Sequence, residues 1–154
     1  MGKCCMARHG KRKPLNNTRK NLLSGRSEST ATLEDKEEGR FLLSLKYLDR
    51  EQGQTLSEWE ESSILAKALE TLRGYSSGSL LEGIDNDKFK VYGNFPPKEK
   101  TDFYHPKHIP PDARWARIHV NGLICLVGHV ERNVFHLVFL DKDHSFWKSD
   151  KKHT

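Results

Sequence analysis

The stretch from Trp115 to Trp147 constrains this chain more than any other: W-A-R-I-H-V-N-G-L-I-C-L-V-G-H-V-E-R-N-V-F-H-L-V-F-L-D-K-D-H-S-F-W. Three β-rich runs, 115–120, 123–130 and 134–140, are joined by Asn121-Gly122 and by Glu131-Arg132-Asn133. Asn-Gly between apolar runs signals a hairpin, because a type I′ turn needs positive φ at both central residues. The short second link makes the whole an antiparallel meander.

Turn lengths then predict which side chains share a face. A two-residue turn at 121–122 sets Val120 opposite Leu123, His119 opposite Ile124 and Arg117 opposite Leu126. A three-residue second loop sets Val130 opposite Val134 and Gly128 opposite His136. One face then carries Trp115, Arg117, His119, Ile124, Leu126, Gly128, His136, Val138 and Leu140. The other carries Ala116, Ile118, Val120, Cys125, Val127, His129, Phe135, Leu137, Phe139 and Asp141. The second face is the more apolar and is the expected core.

Upstream, Arg40 to Asp49 alternates as a strand with one apolar face. Ser57 with Glu60 reads as a capping box, and Leu65, Ala68, Leu69 and Leu72 recur at helical spacing up to Gly74. Residues 88–92 read as a short strand, and the proline-rich 93–111 as a long connecting loop. The predicted fold is therefore α+β: one main helix on a small antiparallel sheet, over residues 40–148, with a flexible 149–154. Residues 1–39 show no periodicity and read as a disordered basic tail. Residues 1–26 hold eight Lys and Arg and no acidic residue, so the chain's net +5 leaves −3 for the rest. Lys11, Arg12, Lys13, Arg19 and Lys20 are the expected salt-sensitive contacts to nucleic acid.

The three cysteines, Cys4, Cys5 and Cys125, form no disulfide framework. Met6 stands where an acylated Met-Gly start needs Ser or Thr. No apolar run is long enough to span a membrane, so a cytoplasmic protein is expected. His105-x-x-His108 contains Pro106 and has no second pair at matching spacing, so neither a metal nor a cofactor is expected. What remains is a basic and imidazole set around the meander: Arg117, His119, His129, Arg132, His136, Lys142 and His144. Cleavage of RNA by its 2′-hydroxyl needs a base, an acid and positive charge on the phosphate. Histidine suits both proton roles near neutrality and Arg or Lys the charge role.

The segments F-L-L-S-L-K-Y-L-D (41–49) and G-H-V-E-R-N-V-F-H-L-V-F-L-D-K-D-H-S-F-W (128–147) resemble a family of small, uncharacterised bacterial and mobile-element proteins. That family has an F-K-Y-L-D strand, a helix, and a final V-F-h-h-V-h-L-D-x-x-H strand (h apolar). It carries no established activity. The order of elements is similar, more distantly, to RelE/ParE-like toxins, which cut ribosome-bound mRNA or block gyrase and are held by an antitoxin. Lys142, His144 and Trp147 lie where such toxins keep C-terminal basic and aromatic residues. Leu123-Ile124-Cys125 stands where they usually have an Arg. The resemblance implies a RelE-like, RNA-acting protein, an mRNA endoribonuclease. Its expected catalytic residues are Arg117, His119, His136, Lys142 and His144. Arg132 and Trp147 join the tail in binding nucleic acid, and RNA or the ribosome and an antitoxin-like protein are the expected partners. A non-catalytic binding module of a phage-defence, counter-defence or toxin-regulating system is the alternative. A basic-tailed nucleic-acid-binding protein is the second.

Overall fold

A computed structural model describes residues 39–79, 83–84 and 87–150. The expected disordered tail and its basic contacts, and residues 151–154, lie outside the described residues. The fold is α+β, a five-stranded mixed sheet with one main helix. Its strands are β1 (Leu42–Ser44), β2 (Phe89–Gly93), β3 (Arg114–Asn121), β4 (Ile124–Glu131) and β5 (Val134–Asp141), in spatial order β1-β5-β4-β3-β2. The antiparallel meander of β3, β4 and β5 forms, and only β1 runs parallel to its neighbour. No helix among the described residues is long and apolar enough to cross a membrane.

The register differs from the expected one. Asn121 pairs with Ile124, so Gly122 and Leu123 form the turn, and the ladder then slips at Val120 to set His119 opposite Cys125. This bulge turns every β4 side chain to the other face relative to β3. Arg117 and His119 therefore share a face with Cys125, Val127 and His129, not with Ile124 and Leu126. The second loop has two residues, because Glu131 pairs with Val134, and it puts Arg132 at φ 55°. A further slip at Val138 gives β5 its own change of face: Phe135 and Leu137 point one way, Val138 and Phe139 the other.

Both faces of the sheet are consequently covered, and β4 and β5 are buried almost without a break. One face packs Ala116, Ile118, Leu126, Phe135 and Leu137 under Trp59, Ile64, Ala68 and Leu72 of the helical layer. That layer is α1 (Leu56–Glu61) and α2 (Leu65–Ser76). The capping box is Thr55 with Glu58, two residues earlier than expected. Ser63 at φ 57° separates the helices, and Gly74 lies inside α2 rather than ending it. The expected helix face is also turned: Ala68 and Leu72 are buried, whereas Leu69 is 55% exposed.

The opposite face packs Trp115, Val127, Val138 and Phe139 under the proline-rich loop and the residues after β5. Phe95, Phe103 and Phe146 supply aromatic edge and tilted contacts to Trp115 and Phe139. The loop is held by backbone bonds from Asp102 N to Ser145 O (3.1 Å) and from Lys148 N to Lys100 O (2.8 Å). The 40–49 strand is shorter than expected. After Ser44 the chain follows the edge of β5 by single bonds, Asp49 N to Val138 O (2.8 Å) and Gln54 N to Leu140 O (3.0 Å).

Candidate functional site

At the His119 end of the loop-covered face, four polar side chains converge. Arg117 and His119 come from β3, Cys125 from β4, and His144 from the turn after β5. The Arg117 guanidinium donates through one terminal nitrogen to Nε2 of both His119 and His144. The two imidazoles lie nearly parallel, with ring centres 5.3 Å apart at 26°. With Nε2 accepting, the His119 proton sits on Nδ1, which is 3.4 Å from Cys125 Sγ. None of the ion pairs among the described residues involves Arg117, and its buried Nε has no hydrogen-bond partner.

The turn that presents His144 is set by buried Asp141. Its two carboxylate oxygens accept the amides of Ser145 and Phe146, each at 2.9 Å. His144 itself sits at φ 58°, a left-handed conformation that a non-glycine residue holds only where its surroundings impose it. Beside the cluster, Tyr92 stacks on Trp147 with ring centres 4.3 Å apart and planes 1° from parallel. The cations of Lys90 and Arg117 lie 5.3 and 5.8 Å from the Tyr92 ring.

Burial, then the Arg117 charge, then His144, hold the His119 imidazole below its usual range. His119 is therefore a neutral base at pH 7. Burial pushes the Cys125 thiol up to about 11, against the pull of Arg117, so the thiol is protonated and no free nucleophile. Burial likewise pushes Tyr92 up to about 12. His119, Cys125 and His144 each offer one ligand atom, all within 4.8 Å of one another, so these three could hold a metal ion.

Of the residues expected to act together, Arg117, His119 and His144 meet and Trp147 adjoins them through Tyr92. His136 does not join them. It pairs with His129, four residues from Cys125 along β4, or about 13 Å. There it is 9% exposed, packed edge-on to His129 and Tyr47 and 3.5 Å from Glu131. Lys142 is exposed, gives its backbone amide to Gln54 Oε1 (2.6 Å), and lends its charge to Glu58 instead. Arg132 is exposed in the β4–β5 turn, at the far end of the sheet.

Sequence reasoning missed Tyr92, and treated Cys125 as core alone. The alternation of Phe89, Val91 and Lys90, Tyr92 offered a signal for Tyr92, since it puts Lys90 and Tyr92 on one face; Lys90 pairs with Arg117. Cys125 offered none, because its face depends on the bulge at Val120. No protein-family model, no curated protein and no solved structure matches the chain.

Proposed function

We propose that the chain is an RNA-acting protein, a RelE-like toxin of a bacterial mobile element that cleaves mRNA at Arg117, His119 and His144. The observation that carries this reading is the convergence of one guanidinium and two imidazoles beside a stacked Tyr92–Trp147 pair. A scissile phosphate takes the N–H groups that Arg117 gives to the imidazoles, which frees both Nε2 atoms for proton transfer. His119, neutral at pH 7, accepts the 2′-hydroxyl proton. The 2′-oxygen bonds to phosphorus, Arg117 stabilises the charge that gathers on the non-bridging oxygens, and His144 serves as the acid, its ring passing a proton to the departing 5′-oxygen. The products are a 2′,3′-cyclic phosphate and a 5′-hydroxyl end. A base flanking the phosphate stacks on the half-buried Trp147, a contact that tolerates any sequence.

The test is induced expression followed by mapping of RNA 5′-hydroxyl ends, repeated with purified chain and a synthetic RNA. Wild type arrests growth and creates new ends. Arg117→Ala and His119→Ala each lower cleavage by about 10²–10⁴-fold. His144→Asn does the same while keeping a residue that tolerates positive φ. Normal growth with no new ends, or ends unchanged by these substitutions, would falsify the reading.

The binding-module alternative has one observation in its favour, an open cleft of about 740 Å³ between residues 46–51 and 104–108. Lys46, Arg50 and Lys107 line it together with the exposed Tyr104. A protein partner held there is lost on Arg50→Glu with Lys107→Glu, changes that leave cleavage at the Arg117 cluster untouched.

A further inference from the structure

We propose that His119, Cys125 and His144 form a site for a thiophilic divalent cation of the zinc class, with an open fourth position. The inference stands apart from RNA cleavage, because it rests on the donor set and its spacing.

A four-coordinate zinc ion with bonds of about 2.3 Å to sulfur and 2.05 Å to nitrogen separates those two ligands by about 3.5 Å. The observed His119 Nδ1 to Cys125 Sγ distance is 3.4 Å, and no pair of the three donor atoms exceeds 4.8 Å. The donors arrive on three separately fixed pieces of backbone. His119 and Cys125 are direct ladder partners, and His144 is aimed by the Asp141-capped turn at positive φ. Two imidazoles and one thiol favour a borderline or soft ion over magnesium or calcium.

These groups already surround a cation. Arg117 places its guanidinium between the two imidazoles, and none of the ion pairs among the described residues neutralises it. A divalent ion on His119 Nδ1 sends that ring's proton to Nε2, which then no longer accepts from Arg117, and the His144 ring exchanges its Arg117 N–H for a coordination bond. The guanidinium then turns onto the Tyr92 ring, from which it lies 5.8 Å. Binding converts Cys125–SH to a metal thiolate and releases one proton to solvent, with no change of oxidation state.

The test uses the full chain with Cys4→Ser and Cys5→Ser, so that Cys125 is its one thiol, titrated with Co²⁺. One equivalent should raise a near-ultraviolet thiolate-to-cobalt band and the visible bands of a four-coordinate ion, and Zn²⁺ should displace it. Cys125→Ser should remove the thiolate band. His144→Asn should weaken binding by about tenfold or more, and Arg117→Met should tighten it by a similar factor. Circular dichroism checks that each variant is folded, and the His144 and Arg117 variants decide the matter if Cys125→Ser is not. A parent protein without the thiolate band, or an affinity unmoved by His144→Asn, overturns the proposal. RNA is absent throughout, so failure of the cleavage reading leaves this result standing.

Discussion

His129 illustrates how a single side chain couples this fold to pH. It is 3% exposed, and neither ring nitrogen has a hydrogen-bond partner. Burial, with His136 adding to it and Glu131 opposing, pulls its pKa down to about 4 from the ordinary 6.5. Above pH 6.5 the ring is neutral in the folded and unfolded chains alike and has no effect on the slope. Between pH 6.5 and 4 only the unfolded chain takes up the proton, so stability falls as pH falls; below 4 both are charged. The loss across that window is about 2–4 kcal/mol. Thermal unfolding between pH 7 and 4.5 should show it, and His129→Leu should flatten the dependence. Gly128 makes a second demand one residue away: a Cβ there would sit 1.9 Å from the His136 carbonyl oxygen. Gly128→Ala should therefore cost about 3 kcal/mol or more by urea denaturation, since backbone and not a flexible side chain must yield. Nothing local in G-H-V-E distinguishes this glycine from a turn residue, because the close approach comes from the slip at Val138.

Among the elements, α2 separates what patterning can predict from what packing decides. The 3.6-residue repeat of Leu65, Ala68, Leu69 and Leu72 marks a helix, and the helix is there. The repeat does not say which edge of the stripe meets the sheet, and the observed contact runs through Ile64, Ala68 and Leu72. Leu72→Ala should cost about 2–4 kcal/mol and Leu69→Ala less than about 1 kcal/mol, measured by chemical denaturation. Equal losses at both positions would mean that the helix is rotated from this placement. The meander teaches the same lesson. Asn121-Gly122 announces the hairpin, yet the turn closes one residue later and a bulge at Val120 absorbs the difference. Because side chains alternate with period two, that one residue decides that Cys125, and not Ile124, stands beside His119. Arg117, His119 and His144 were legible as a chemical set because their residue types announce it. Tyr92 and Cys125 were not, since only pairing register brings them there. The loop over 93–111 was legible as a loop, while its role as a second cover was hidden by its prolines and charges.

Over the whole chain, charge and chemistry are divided between two regions. Residues 1–26 carry +8 and the remainder −3, whereas the Arg117 cluster lies in the sheet. Polyanion attraction through the tail releases counterions and weakens steeply with salt; a proton-transfer step inside a half-buried cluster does not. If RNA is the substrate, deleting residues 1–38 should thus act on capture and not on chemistry. The tail offers no periodic apolar face to bury, so the shortened chain should still unfold cooperatively, with a midpoint within a few degrees of the full chain. If RNA is the substrate, the shortened chain should bind it with a much flatter salt dependence and a higher KM at low salt. Its kcat and cleavage positions should stay unchanged. A kcat that falls with the tail would put catalytic charge in residues 1–38 and remove Arg117 from the phosphate role. Loss of cooperative unfolding would instead make the tail part of the fold, and the +8 of its first 26 residues would then need a structural explanation.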